Sequence, residues 1–250
     1  MRRLMVQVML VPFRDYVRAL DALATRHAVS WLIVVAALVV TWFIYVPLHE
    51  LLHAYGCIWA GGTVTRLEIA PEYGGALLAR IVPFVVSGSA YAGQLTGFDT
   101  QGSDIVYLAT VLAPYVLTIA LGVPLLRRAA QPVRHPVARP LMIGAALPIA
   151  LAPFISITGD YYEAGSIVVT RLVHALDPSR QPEQWRSDDL FRLVGTLSGR
   201  GATAIDWGIV GASLLAGLAL ALLTYHCGAL VARGLIGGIV SRKSTLEESQ

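Results

Sequence analysis

Charge is scarce in this chain. Asp, Glu, Lys and Arg supply 14% of its 250 residues, against about 25% in an ordinary soluble domain. Hydrophobic residues make up 56% and the mean hydropathy is +0.63. Too little polar surface is left to cover a water-facing globule, which excludes a soluble fold. Cysteine is equally sparse. Cys57 and Cys227 lie far apart, in or beside apolar segments, which excludes both a disulfide framework and a CxxC metal knuckle. Lysine is almost missing, Lys243 being the only one. The net charge of +3 and pI near 9.0 come from arginines scattered around apolar segments. They read as topology signals, with no nucleic-acid partner. The N-terminus, MRRLMVQVMLVPFRDYVRAL, has a short apolar stretch but no small-residue cleavage site after it. Residues 1–27 therefore read as a basic amphipathic helix on the membrane surface rather than a signal peptide.

Long apolar runs are what the chain does have. A spanning helix needs about 20 largely apolar residues. Four segments qualify: 28–48, continuing into 49–60, then 105–126, 140–158 and 207–232. Pro114, Pro148 and Pro153 fall inside them and predict kinks, which neighbouring helices accommodate. Ser213 and Gly217 form a small-xxx-small pair that predicts close helix packing. Between the first two spans, TVTRLEI alternates apolar and polar residues, and ARIVPFVV is bounded by glycines and serines. Both are strand signals. The fold class expected is an all-α polytopic membrane protein of about four transmembrane helices, with a small β-hairpin or sheet between the first and second and an N-terminal amphipathic helix. One transmembrane domain covers 28–240, and a disordered tail covers 241–250.

Arginine places the loops. Arg2, Arg3, Arg14, Arg18 and Arg26 precede the first span, Arg127, Arg128, Arg134 and Arg139 lie between the second and third, and Arg233, Arg242 and Lys243 follow the fourth. With four crossings all three groups share one side, which the positive-inside rule makes cytoplasmic. Both termini are then cytoplasmic. The preference for arginine over lysine and the lack of eukaryotic targeting signals fit a bacterial inner membrane.

The first span ends in YVPLHELLHAYG, residues 45–56. On a helix His49 and His53 lie one turn apart on one face, a spacing that lets two imidazoles hold one Zn2+ ion. Glu50 beside them can act as a proton-transferring base, the HExxH arrangement of zinc metalloproteases. Zinc lowers the pKa of bound water toward about 7 and polarises a carbonyl. The bland alternative is a polar helix end solvated at the interface. The location argues against it, because an ionisable group deep in a span costs about 2.5–3.5 kcal/mol on insertion scales. Pro47 predicts a bend just before the motif. Cys57 lies two turns from His49, about 12 Å along the axis, and reads as a packed thiol. His226 reads as a packed or hydrogen-bonded histidine, and His27, His135 and His174 as surface residues.

HELLHA at the end of an apolar helix, then a Gly-rich strand-like segment and two more spans, resembles the site-2 protease family of intramembrane zinc metalloproteases over residues 30–165. The resemblance implies His49 and His53 as zinc ligands, Glu50 as catalytic base and an aspartate on the third helix as third ligand. It also implies hydrolysis of peptide bonds in or beside transmembrane segments of membrane-anchored protein substrates. Asp160, in ITGDYYEAGS, fits that aspartate, since the first and third spans end on the same side. It could instead cap a helix. Glu163, three residues on, is an alternative ligand or a carboxylate that orients an imidazole. The family usually carries an asparagine and a proline ahead of an Asp-Gly pair. This chain has no asparagine, its order is Gly159-Asp160, and Pro153 lies seven residues before the aspartate. Tyr161, Tyr162 or backbone amides are then the candidates to stabilise an oxyanion. Thr63, Thr65, Leu67 and Ile69 of TVTRLEI are candidates to pair with an extended substrate, if that strand is an exposed edge. Two other functions fit the same residues: a non-catalytic scaffold or pseudoprotease with a structural metal site, and a membrane metallohydrolase acting on a lipid or small amide.

Overall fold

The computed structural model of the protein describes residues 2–24, 28–133 and 135–247. The elements begin with α1 (Arg2–Ala24), α2 (Ala28–Trp59), β1 (Thr63–Ile69), a one-turn α3 (Gly75–Leu78), β2 (Val85–Ser87) and β3 (Gly93–Asp99). They continue with α4 (Asp104–Leu112), α5 (Val123–Ala129), α6 (Ala138–Ala150), α7 (Ala152–Ile155), α8 (Asp160–Leu176), α9 (Leu190–Gly199) and α10 (Ala204–Glu247). The chain is a mostly helical membrane protein with a small sheet.

Among the described residues, three helical stretches are long and apolar enough to cross a bilayer: Ala28–Trp59, Asp104–Ala129 and Ala204–Leu235. They coincide with the first, second and fourth expected spans. The third is a pair of helices, Ala138–Ala150 and Ala152–Thr158, bent by 40°. Pro148 and Pro153 each lack a backbone donor and crowd the preceding turn, and the break falls between them. Pro114 acts likewise in the second stretch, where a 3-10 turn at Ala113–Tyr115 and a π turn at Thr118–Gly122 separate α4 from α5. Helix α2, by contrast, runs unbroken through Pro47.

The residues expected to form one domain divide into two compact units. One comprises residues 1–45, 116–152 and 222–250. In it α1 packs on α5 and α6, burying Ala19 and Leu23 while Phe13 and Val17 stay exposed. The segment expected as an amphipathic helix at 1–27 is helical over Arg2–Ala24; residues 1 and 25–27 lie outside the described residues. Buried Asp15 receives Arg127 Nε at 2.6 Å and the Tyr225 hydroxyl at 3.2 Å. Arg139 donates to the carbonyls of Ala22 and Ala129, both at 3.0 Å. His226 bonds the Val8 carbonyl at 3.1 Å, as its hydrogen-bonding reading anticipated. Helix α10 continues to Glu247, so the tail expected to be disordered from 241 extends that helix. No proline interrupts it, and adding residues to a formed helix costs little. Residues 248–250 lie outside the described residues.

The second unit comprises residues 46–115 and 153–221. Its sheet has the order β2-β1-β3, with β2 parallel and β3 antiparallel to β1. TVTRLEI forms β1 over the residues expected, but it is the central strand. Leu67 and Ile69 have partners on both sides and are fully buried with Ala54 and Val85. The expectation that β1 is an open edge is therefore corrected. ARIVPFVV contributes only Val85 and Val86 to strand β2, its first part being the turns that follow α3. Cys57 is buried and free, its thiol reaching the carbonyls of Thr63 and Asp99 at 3.7 and 3.9 Å. A second core gathers Tyr162, Trp185, Leu193, Leu197 and Ile209 around α8, α9 and the start of α10. Helix α8 crosses α10 with backbones in contact. A Cβ on Gly165 would lie 2.5 Å from Gly217 N and would also strike the Ser213 carbonyl, which bears out the small-xxx-small pair.

Candidate metal centre

Everything that builds the centre belongs to this second unit. Helix α2 sets His49 and His53 one turn apart, as their spacing dictates. Gly56 lets α4 approach, because a Cβ there would lie 2.7 Å from the Ala109 carbonyl. That approach brings the Thr110 carbonyl to His53 Nδ1 at 2.8 Å. With Nδ1 donating there, His53 Nε2 is the lone-pair nitrogen, the arrangement a metal-ligating imidazole needs. His49 Nε2 lies 3.1 Å from it, with the two rings edge to face.

Asp160 meets both imidazoles from α8. Its Oδ2 is 3.2 Å from His49 Nε2 and 3.7 Å from His53 Nε2. The same oxygen accepts from the Tyr115 hydroxyl at 2.6 Å, while Ser156 Oγ accepts from the Asp160 amide at 3.1 Å. Asp160 is the first residue of α8 and its side chain makes no capping bond, Gly159 taking the cap position. The capping alternative is thereby removed. Burial pushes the Asp160 carboxyl up, but the electrostatic attraction of the neighbouring His53 and His49 rings, with hydrogen bonding to His49 and Tyr115, outweighs it and holds it well below the usual carboxylate range. The three ligand atoms lie within 4.8 Å of one another. Two imidazole nitrogens and an ionised oxygen facing one point can hold a metal ion.

Around the triad opens a cavity of about 520 Å³, walled by Glu50, His53, Asp160 and Glu163, by Gly93 and Gln94 of β3, and by Asp188. Glycine at 93 is required by proximity, since a Cβ there would crowd Glu50 Cδ at 3.0 Å. Gln94 Nε2 donates to Asp188 at 3.3 Å, tying β3 to the chain ahead of α9. Glu163 is not one of the converging ligands. It accepts a short hydrogen bond from the Tyr107 hydroxyl, so neither a ligand role nor orientation of an imidazole is what its contacts describe. Burial pushes its carboxyl up to about 8, partly offset by the Tyr107 bond.

The remaining assignments fare differently. Tyr161 and Tyr162 are fully buried and do not line the cavity. Tyr161 packs on the Tyr115 ring, and Tyr162 donates to the Trp185 carbonyl at 2.9 Å. Neither therefore reaches the cavity beside Asp160, and the expectation that they stabilise an oxyanion there is withdrawn. Thr63, Thr65, Leu67 and Ile69 do not line the cavity either; the strand that does is β3. His135 and His174 are exposed, His174 bonding the Arg180 carbonyl at 2.9 Å, and His27 lies outside the described residues. Sequence reasoning missed Tyr107, Thr110, Tyr115 and Asp188. Their one signal was a pair of phenols, eight residues apart, inside an apolar span.

No protein-family model, curated protein or solved structure matches the chain.

Proposed function

We propose that the protein is a zinc-dependent intramembrane metalloprotease, similar to site-2 proteases, that hydrolyses peptide bonds in or beside transmembrane segments of membrane-anchored proteins. The observation that carries this reading is the convergence of His49, His53 and Asp160 on one point, beside a cavity that Glu50 also lines. The donor set and its spacing are compatible with zinc. Ligand bonds of about 2.0–2.1 Å in a tetrahedron imply donor edges of about 3.3 Å, and the three edges here are 3.1, 3.2 and 3.7 Å. Zinc in such a site supplies a water acidified toward neutral pH and a polarised carbonyl.

The chain's own groups supply the rest. Thr110 fixes the His53 tautomer through its carbonyl, and Tyr115 steadies the Asp160 oxygen that faces the imidazoles. Glu50 takes the proton of the attacking water and passes it to the leaving amine nitrogen as the C–N bond breaks. Among the described residues the outer edge of β3 has no strand partner in the sheet, and its residues 93–95 line the cavity. An unwound substrate segment added to that edge would lie beside Glu50, so strand capture is assigned to β3. The proposed setting is a bacterial inner membrane crossed four times, with both termini cytoplasmic and the centre toward the opposite face.

Metal analysis of purified wild type, His53→Ala and Asp160→Ala, side by side with Glu50→Gln, tests the proposal. About one zinc per chain is expected in wild type and Glu50→Gln, with a large loss in the other two. Glu50→Gln should also abolish cleavage of a membrane-anchored reporter. Unchanged zinc in Asp160→Ala would sink the ligand set. Unchanged cleavage in Glu50→Gln would sink the role of Glu50 as base, and no cleavage by zinc-loaded wild type would sink the protease and leave a structural metal site. Turnover of phospholipid with no peptide present would favour a lipid hydrolase.

A further inference from the structure

The first unit holds a cavity of its own, about 450 Å³, lined by Asp15, Arg18, Arg127, Ala130, Gln131 and Arg233. Three guanidinium groups from α1, α5 and α10 face a space that contains one carboxylate. That carboxylate is already engaged: Asp15 is buried, bonded by Arg127 Nε at 2.6 Å and by the Tyr225 hydroxyl at 3.2 Å. Arg127 is anchored further, donating from Nη1 to the Ala229 carbonyl at 3.0 Å. Asp15 and Arg127 therefore cancel, leaving the exposed Arg18 and Arg233, neither of which forms an ion pair among the described residues. The cavity carries an uncompensated positive charge walled by three helices.

Its surroundings narrow the ligand. On α1, Phe13 is 63% and Val17 52% exposed, and on α10 Leu230 and Leu235 are also exposed. Large apolar side chains left exposed on a chain with membrane-spanning helices are read as lipid-facing, and here they stand on two of the three helices that wall the cationic cavity. A molecule that matches both features has a phosphate head and an apolar tail. Arginine also suits phosphate, whose oxygens accept paired N–H donors from the planar fork.

We propose that this cavity binds a phosphate group, that of an anionic phospholipid headgroup, with Arg18 and Arg233 as its principal contacts and Arg127 as the anchored third cation. The site shares no residue with the metal centre, so its fate is independent of the proposed protease activity.

The test uses the full-length protein in a neutral detergent, with melting followed as lipid is added. Dioleoyl phosphatidylglycerol should raise the melting temperature saturably, while dioleoyl phosphatidylcholine should not. Arg18→Ala/Arg233→Ala should weaken the half-saturating phosphatidylglycerol concentration about 10- to 30-fold, from the contribution of each arginine near an anionic surface. Arg127 is left intact because it holds Asp15. Arg18→Lys/Arg233→Lys, which keeps the charge, should recover part of the loss, and melting without lipid reports whether each variant folds. Inorganic phosphate is the second arm. Weak competition at millimolar concentration supports the lipid source, whereas full stabilisation by inorganic phosphate alone would support the phosphate site and assign it to a soluble ligand. Equal responses to the two lipids, or wild-type phosphatidylglycerol binding by a folded Arg18→Ala/Arg233→Ala protein, would overturn the proposal.

Discussion

Tyr115 shows how much a single residue adds to the centre. Its hydroxyl donates at 2.6 Å to the very oxygen of Asp160 that faces the imidazoles. Removing a partner that orients a ligand typically costs 10–100-fold in metal affinity. Tyr115→Phe should therefore keep the fold and one zinc per chain at saturation but lower zinc affinity about 10-fold or more, read by competition with a chelator. Affinity equal to wild type would show that the phenol is only packed. Glu163 gives a second residue-scale prediction. Its folded-state pKa, about 8, lies above the ordinary carboxyl value, so the folded protein binds more protons than the unfolded one between those limits. Its contribution is then complete at acid pH and is lost as pH rises toward 8. Glu163→Gln cannot lose that proton, so in chelator its melting temperature should gain on wild type from pH 5 to pH 8. Parallel curves would refute the shifted titration. His49, Glu50 and His53 were legible because an i, i+4 pair on a helix needs no tertiary information. Tyr107 and Tyr115 were not, since phenols in an apolar span look the same whether they meet lipid, core or a carboxylate.

Elements were legible where periodicity was strong. Helix α2 announces itself by an uncharged run, and β1 by its alternation. Strand β3 escaped notice because Gly93 and Gly97 weaken any strand signal, and its pairing with β1 shifts register between Val64 and Leu67. Those same glycines are what bring it close, one to Glu50 and the other to Arg66. The position of β1 within the sheet could not be read from a strand that nothing yet paired. Contact between α8 and α10 is the element-scale feature on which the site depends, because α8 carries Asp160. Gly165→Val would force a Cβ into the backbone around Ser213 and Gly217. Overpacking of this kind costs about 1–3 kcal/mol, and here the strain falls on the helix that carries Asp160, the proposed third ligand. Lower melting temperature together with lost zinc is expected. Gly208→Ala, also on α10 but with nothing within 4 Å of its added Cβ, should leave zinc content unchanged. Zinc retained in Gly165→Val would show that Asp160 is placed without this contact.

At the scale of the whole molecule, composition alone fixed the membrane class, since 14% charged residues cannot cover a soluble surface. It did not fix the number of crossings. Among the described residues three helices are long enough by themselves, and the fourth crossing depends on treating the bent pair Ala138–Ala150 and Ala152–Thr158 as one span. Proline pairs produce such breaks both in kinked spans and in re-entrant loops, so hydropathy is the same for each. Arginine distribution separates them. If the pair crosses, the arginines before the first span, those of 127–139 and the basic group Arg233, Arg242 and Lys243 share one side, as the positive-inside rule favours. If it re-enters, the C-terminal basic group and the 127–139 group fall on opposite sides, against the rule. Side-reporting fusions after residues 100, 135, 180 and 247 decide between them. Four crossings predict that positions 135 and 247 report the cytoplasm and that 100 and 180 report the opposite face. A re-entrant pair instead predicts 135 and 180 on one side and 247 on the other. That result would move Asp160 to the wrong end of its helix pair relative to His49 and His53, in conflict with the 3.2 Å His49–Asp160 separation, so the sidedness of residue 180 tests the topology and the ligand set together.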